Sequence, residues 1–235
     1  MTHTIIQTLG LLAPIAMAVV CHEVAHGYTA LRFGDQTAKL MGRLTLNPIA
    51  HIHWFGTIVM PLMIYFLTVA ASGQGFVFAF AKPVPVDFRR LSNPKRDMIW
   101  VAAAGPATNI ILAVISAGLI RILGMIAPEA FAEFTVGFQS NTLDLTTSFI
   151  SPVFFVLIVS VYINIVLAVI NLIPVPPADG GRIVTGLLPD EQAEQYASVE
   201  PYGLIILIMI LFYNPLNIIN WTIRPVVDGM LNILL

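Results

Sequence analysis

The segment His22-Glu23-Val24-Ala25-His26 carries the residue types of a metal-assisted hydrolytic site. Residues four positions apart on a helix project from one face, so His22 and His26 can bind the same metal ion. Glu23 stands beside them, within reach of a water on that metal, and is the one acidic residue among residues 1–31. This spacing is the geometry of a zinc hydrolase.

The surroundings of this motif indicate a membrane. The chain has 235 residues, of which 57% are hydrophobic and only 10% are charged, whereas soluble domains carry about 25% charged residues. The apolar run around the motif, residues 5–31, exceeds the about 20 residues that cross a bilayer core. Unpartnered polar groups in lipid are costly, so two incidental histidines are the weaker interpretation. Ionisable residues at this depth indicate a functional site.

Further apolar runs predict an all-α polytopic membrane protein with about five to six transmembrane helices. The runs, each with few or no charges, cover residues 5–31, 54–72, 98–123, 150–173, 202–213 and 216–235. The last run contains Arg224 and Asp228, which are four residues apart and can pair on one helical face. We expect a single transmembrane domain over residues 1–235, with a catalytic core over about 5–187 and C-terminal helices over about 202–235.

Basic residues indicate which ends of the spans face the cytoplasm. They follow the first span, precede the third and follow the fourth: Arg32, Lys39, Arg43, Arg89, Arg90, Lys95, Arg96 and Arg182. The positive-inside rule places these loops in the cytoplasm and the acidic segment 124–149 outside. Basic clusters on both sides of residues 54–72 conflict with a single crossing there. Either residues 73–86 return through the membrane or residues 54–72 are not a simple span.

The sequence between the first and third spans contains extended stretches. These are Gly42–Leu46 and Phe76–Phe80, the second followed by Pro83-Val84-Pro85-Val86. Proline suits an edge strand and is excluded from a helix interior. We therefore expect a small re-entrant β element here, where an unwound substrate could add as a further strand.

The third metal ligand must come from another part of the chain, because a hydrolytic zinc site has three protein ligands and an open position. Asp179 is the best candidate, since it follows the fourth span at the end that matches the depth of His22 and His26. Three prolines before Asp179 end that helix, and two glycines after it would let the chain turn closely around the metal. Taken alone, this segment would more readily be interpreted as a proline-rich loop with a surface aspartate.

Three motifs together resemble the site-2 protease family of intramembrane zinc metalloproteases. They are His22-Glu23-x-x-His26, Gly105-Pro106-x-x-Asn109, and Asn171 through Asp179-Gly180. Leu46-Asn47-Pro48 and Ala81–Val86 also resemble stretches of compact bacterial members that have no PDZ domain. The resemblance covers roughly residues 15–185.

The resemblance implies a role for each matching residue. One Zn²⁺ would be bound by His22, His26 and Asp179, Glu23 would be the general base, and Asn171 would contact the substrate near the scissile carbonyl. The implied activity is hydrolysis of a peptide bond within or next to the transmembrane segment of a membrane protein, in regulated proteolysis or in clearance of signal-peptide remnants. The implied location is a bacterial cytoplasmic membrane, with the active site toward the cytoplasm.

Other functions and ligands remain open from the residues themselves. A metal transporter or channel would also place histidine and aspartate in membrane spans, and a catalytically silent binding relative would retain the same ligands. Another class of membrane zincin would take its third ligand from a glutamate such as Glu194. His51 and His53 are further candidates for accessory ligands or pH-sensitive gating, or for an interfacial position beside Trp54. No basic tract points to nucleic acid.

Overall fold

A computed structural model describes residues 2–73, 82–140, 142–143, 145, 150–214 and 217–235. Within these ranges every regular element is helical and no strand is found. The α-helices are α1 (Thr2–Arg32), α2 (Thr37–Leu40), α3 (Met60–Ser72), α4 (Pro94–Ile126), α5 (Pro128–Gln139), α6 (Ser151–Asn171), α7 (Asp179–Leu187), α8 (Asp190–Ala197), α9 (Glu200–Ile208) and α10 (Arg224–Leu234). Short 3₁₀ turns occur at Pro48–His51 and Phe88–Arg90, and π-helical segments at Trp54–Val59, Met209–Tyr213 and Ile219–Ile223. The expectation of a helical protein is confirmed.

Three of the described helices are long and apolar enough to cross a membrane: Ile6–Arg32 in α1, Pro94–Ile126 and Ser151–Asn171. The shortest has 21 residues, which at about 1.5 Å per residue spans the roughly 30 Å hydrocarbon core. The predicted span 54–72 is instead a shorter apolar helical stretch, Trp54–Ala70. The chain is therefore an integral membrane protein with three candidate spans among its described residues, and the expectation of five to six spans is not confirmed.

Helix α4 lies at the centre of the fold, against α1, α6 and α7. Small side chains allow this close packing, since Ala113 and Ala117 of α4 are almost completely buried beside Val161 and Ile165 of α6. Small residues at helix contacts are the usual route to tight packing in lipid, where no hydrophobic force drives helices together. This arrangement brings the polar residues of α1, α4 and α7 to one place.

Two hydrogen bonds join separate parts of the connection between α2 and α4. The backbone N–H of Lys82 donates to the carbonyl of His51 over 2.9 Å, and the Arg43 guanidinium donates to the carbonyl of Lys82 over 2.8 Å. His51 and Lys82, which flank the predicted span 54–72 in sequence, thus lie next to each other.

The β element expected here is not confirmed. Gly42–Leu46 is not a strand, and Phe76–Phe80 lies outside the described residues. A Cβ at Gly27 would lie 2.6 Å from Leu44 Cδ2 and 2.8 Å from Val84 Cγ1, so Leu44 and Val84 both pack on α1. The Arg43 side chain satisfies carbonyls that a partner strand would otherwise bind.

Two acidic segments of the sequence contain helices. Residues 124–149 contain α5, whose Phe134 is 1% exposed and packs against Phe154 of α6. The acidic run that begins at Asp190 forms α8. Each helix has a polar outer face and one buried side chain, Phe134 in α5 and Ala193 in α8, that packs it against the rest of the protein. The predicted pairing of Arg224 with Asp228 is confirmed, with Nε and Oδ2 3.5 Å apart.

Candidate metal centre

Three side chains from two distant parts of the sequence meet in the interior. The Nε2 atoms of His22 and His26 are 3.0 Å apart, and Asp179 Oδ2 is 3.1 Å from the first and 3.3 Å from the second. All three residues are buried. Ligand atoms around a tetrahedral zinc ion, with bonds of about 2.0–2.1 Å, lie roughly 3.3 Å from one another. The spacing of these three atoms therefore fits one zinc ion.

Hydrogen bonds at the other ring nitrogens fix the tautomers. His26 Nδ1 is 2.6 Å from the carbonyl oxygen of Val101, which can only accept, so Nδ1 carries the proton. His22 Nδ1 is 2.6 Å from Asn109 Oδ1 and must likewise donate. Both Nε2 atoms of the neutral rings are then lone-pair donors to a metal, held by partners outside the ligand set as is usual for metal-binding histidines.

The three side chains present the electron-donating atoms of a cation site. Asp179 Oδ2 is buried and has no hydrogen-bond partner among the described residues. It faces the two unprotonated nitrogens of His22 and His26, so three acceptors converge without a shared proton. An uncompensated buried acceptor is costly. A divalent cation removes this cost for all three atoms, and the donor set of two imidazoles and one carboxylate suits zinc.

Asn109 is tied to His22 by a buried amide network. Its Nδ2 donates to Asn164 Oδ1 over 2.7 Å and to the Ala18 carbonyl over 3.2 Å. These two bonds orient the amide so that its oxygen faces His22. Asn109 of the Gly105-Pro106-x-x-Asn109 motif therefore makes a polar contact with a candidate ligand, whereas Asn164 on α6 was not foreseen because it belongs to no motif identified in the sequence.

Gly105 lets α4 pack directly against the metal-facing Nε2 atoms of His22 and His26. A Cβ at this position would lie 2.5 Å from His26 Nε2 and 2.6 Å from His22 Nε2. Pro106 follows inside the helix and is fully buried, and its missing N–H leaves the carbonyl of Ala102 without its helical donor. Glycine is thus required here by space, next to the metal-facing atoms.

Asp179 is the first residue of α7 and is positioned by close backbone packing. A Cβ at Gly180 would lie 2.3 Å from the Leu172 carbonyl oxygen, and one at Gly181 would lie 2.3 Å from Pro176 N. The two glycines therefore do not turn the chain around the metal, as expected from the sequence, but let the first turn of α7 pack on the preceding loop. The predicted end of α6 at the proline-rich segment is confirmed, since that helix ends at Asn171.

The C-terminal helices brace this proline-rich loop. The backbone of Gly203 in α9 contacts the carbonyl of Pro176 so closely that a Cβ would lie 1.4 Å from its oxygen. The Tyr196 hydroxyl of α8 donates to the carbonyl of Pro174 over 2.5 Å. Neither residue belonged to a predicted site, because the partner in each contact is a backbone carbonyl, which leaves no pattern in the sequence.

Glu23 faces the extended stretch that follows the return of the chain. The backbone N–H of Val84 donates to Glu23 Oε2 over 2.7 Å. Glu23, the three metal-facing residues, Asn171 and Arg182 line one cavity of about 370 Å³, with the remaining walls formed by Pro83, Val84, Val86, Phe88, Val101, Ala102 and Pro177. The structure thus brings together all five residues predicted for the site.

The other candidate ligands lie elsewhere. Within the described ranges the only group of three or more potential metal ligands is His22, His26 and Asp179. Glu194 is exposed on α8. His51 Nε2 lies 2.8 Å from the Thr45 carbonyl, and His53 Nδ1 accepts from the backbone N–H of Gly56, so both have local structural contacts.

Replacing Asn109 with alanine is expected to weaken zinc binding about 10- to 100-fold, the usual effect of removing a partner that orients a histidine ligand. The loss follows because His22 would no longer be held with its Nε2 toward the ion. Competition with a chelator of known affinity measures the change. Thr108→Ala, on the same turn of α4, leaves the bond between Asn109 and His22 in place and is the control; equal affinities for the two variants would contradict the role of Asn109.

Comparison with known proteins places the chain among metallopeptidases. The sequence profile of peptidase family M50 matches residues 10–213. A Bacillus subtilis (strain 168) protein named as a zinc metalloprotease, YwhC, is 35% identical over 219 residues, which cover 93% of this chain and 86% of that protein. Proteins named as zinc metalloprotease Rip2 from Mycolicibacterium smegmatis and Mycobacterium tuberculosis (strain H37Rv) are 28% and 25% identical, and each match covers 86% of this chain and 66% of the relative. No solved structure matches the chain.

Proposed function

This chain belongs to peptidase family M50, the site-2 protease family of intramembrane zinc metalloproteases, and we propose that its active site is formed by His22, Glu23, His26, Asn171 and Asp179. The observation that carries this assignment is the convergence of three buried acceptor atoms, at 3.0 to 3.3 Å from one another, next to Glu23. A metal transporter is not favoured, because it would not require a carboxylate such as Glu23 in a hydrolase motif beside the ligands.

His22, His26 and Asp179 would hold the zinc ion, with both imidazoles kept in the required tautomer by Asn109 and Val101. When bound, zinc polarises the scissile carbonyl and makes water a nucleophile at neutral pH. Glu23 takes the proton from the attacking water and returns it to the leaving amine. The Val84 N–H holds one oxygen of Glu23, which leaves the other for proton transfer.

Asn171 is placed to bind the substrate rather than the metal. Its Nδ2 donates to the carbonyl of Leu167 on its own helix, and the residue lines the cavity with Glu23. The amide oxygen and the second N–H hydrogen remain for a peptide. This supports the role in binding near the scissile carbonyl.

The substrate is the transmembrane segment of another membrane protein, cleaved from the cytoplasmic side. One observation supports this orientation: the ends of α1 and of α6 that carry the site are followed by basic residues. The shorter apolar helices would complete a domain of five to six membrane segments. A transmembrane helix must be unwound before its carbonyls become accessible, and the extended residues 82–87 lie beside Glu23 to receive it.

Metal content tests the ligand assignment. Asp179→Ala is expected to reduce bound zinc from about one ion per chain to less than a tenth, since one of three ligands is lost. Glu194→Ala removes a carboxylate from exposed α8 and should leave the zinc content unchanged. The measurement is elemental analysis of the purified proteins after dialysis. Full zinc content in Asp179→Ala together with loss of zinc in Glu194→Ala would show that the third ligand is Glu194 on the acidic helix α8 and not Asp179.

A further inference from the structure

Arg182 is a half-buried cation whose guanidinium has no hydrogen bond or ion pair within the part of the chain that the structure describes. It lies on α7, three residues after Asp179, and lines the same cavity as Glu23. Its guanidinium carbon is 5.2 Å from the centroid of the Phe88 ring. A guanidinium stacked on an aromatic ring is held in place while its N–H groups stay free for a ligand.

The charges of the cavity favour an anionic ligand at this position. Glu23 and Asp179 are the two carboxylates that line it, and together they balance a divalent ion. Arg182 then leaves one positive charge uncompensated in a partly desolvated site. Such a charge is costly unless a partner of opposite sign joins it.

We propose that Arg182 forms a substrate subsite that binds an acidic side chain close to the scissile bond. This inference rests on the proposed function, because the ligand is part of the peptide that enters the cavity for cleavage. Guanidinium binds carboxylate through two parallel hydrogen bonds, which gives selectivity for aspartate or glutamate over amides. The substrate class is therefore a membrane segment with an acidic residue next to its cleavage site.

The position of that residue follows from the helix geometry. Side chains three residues apart on a helix are neighbours, with Cβ atoms about 5–6 Å apart, so Arg182 lies near Asp179 in the same cavity. An extended peptide advances about 3.3 Å per residue. An acidic side chain within about three residues of the scissile bond can therefore reach the guanidinium.

The test uses a single-span peptide substrate with Asp, Asn or Lys placed in turn at each of the three positions on either side of the scissile bond. Wild type should cleave the Asp peptide with a kcat/KM about tenfold above that of the Asn peptide at one of these positions. Arg182→Gln should abolish this ratio, and Arg182→Glu should prefer Lys at the same position. Arg96→Gln, which removes an exposed arginine outside the cavity, should keep the preference of wild type.

Binding of the same peptides to zinc-loaded Glu23→Gln separates this inference from the function. Tighter binding of the Asp peptide without cleavage by wild type would support the subsite and reject the protease. Cleavage without an acidic preference at any position, or a preference retained in Arg182→Gln, would overturn the subsite and leave the protease intact.

If Arg182→Gln slows every substrate equally and the effect depends on the content of anionic lipid in the vesicles, the guanidinium binds a phospholipid headgroup and the peptide subsite is overturned. If Arg182→Gln misfolds and loses zinc, the peptide preference of Arg182→Glu decides, and equal rates for the Asp and Asn peptides with wild type still overturn the subsite.

Discussion

Gly105→Ala is expected to abolish zinc binding while leaving the helix bundle assembled. The added Cβ would lie within 2.6 Å of both His22 Nε2 and His26 Nε2, closer than such atoms approach in folded proteins. The two rings must then separate, and they are already fixed at their Nδ1 atoms by Asn109 and Val101. We expect a loss of affinity of at least about a thousandfold, equivalent to roughly 4 kcal/mol, with loss of activity at ordinary zinc concentrations.

Gly118→Ala is the matched control, since it lies on the same helix with nothing within 4 Å of an added Cβ. The helix propensity of alanine should leave stability unchanged or raise it by up to about 1 kcal/mol. Zinc affinity is measured for both variants by chelator competition, and assembly by thermal unfolding in detergent. Normal zinc affinity in Gly105→Ala would show that the ligands do not lie against α4.

Gly203→Ala is expected to destabilise the protein and displace the proline-rich loop. The new Cβ would lie 1.4 Å from the Pro176 carbonyl oxygen, a backbone atom that cannot rotate away, so α9 or the loop must move. We expect the free energy of unfolding to fall by about 2–4 kcal/mol. Because the loop leads directly to Asp179, zinc affinity should fall as well.

Gly229→Ala on α10 is the comparison for this second variant, because an added Cβ there meets nothing within 4 Å. Thermal unfolding of zinc-free and zinc-loaded protein measures both effects. A wild-type melting temperature for Gly203→Ala would indicate that α9 does not brace the loop. A lower melting temperature with unchanged zinc affinity would limit the role of α9 to stability.

The metal-facing residues were predictable because their chemistry is local. His22 and His26 follow from helical spacing, and Asp179 follows from a proline-rich segment at matching depth. The contacts that orient these ligands could not be predicted from the sequence. Asn164 and the Val101 carbonyl act only because α1, α4 and α6 pack together, and a backbone carbonyl leaves no mark on the sequence.

The connection between the first two long spans shows why part of the fold was not predicted. Alternating and proline-containing residues in 42–46 and 83–86 are typical of strands, yet Leu44 and Val84 pack on Gly27 of α1 instead. Strand formation depends on partners distant in sequence, whereas the helical periodicity of α1, α4 and α6 is contained in each segment. Similarly, Gly180 and Gly181 indicated close approach correctly, but not that the approach is made by a helix.

The most direct test of the central claim is to incubate wild type and Glu23→Gln, both zinc-loaded, with single-span substrates and to map the products by mass spectrometry. We expect wild type to cut a peptide bond within or next to the apolar segment. Glu23→Gln should retain zinc but cleave at least about a hundredfold more slowly, because the general base is lost. Equal cleavage by the two proteins, or no cleavage of any substrate by zinc-loaded wild type, would contradict an intramembrane protease with Glu23 as its base.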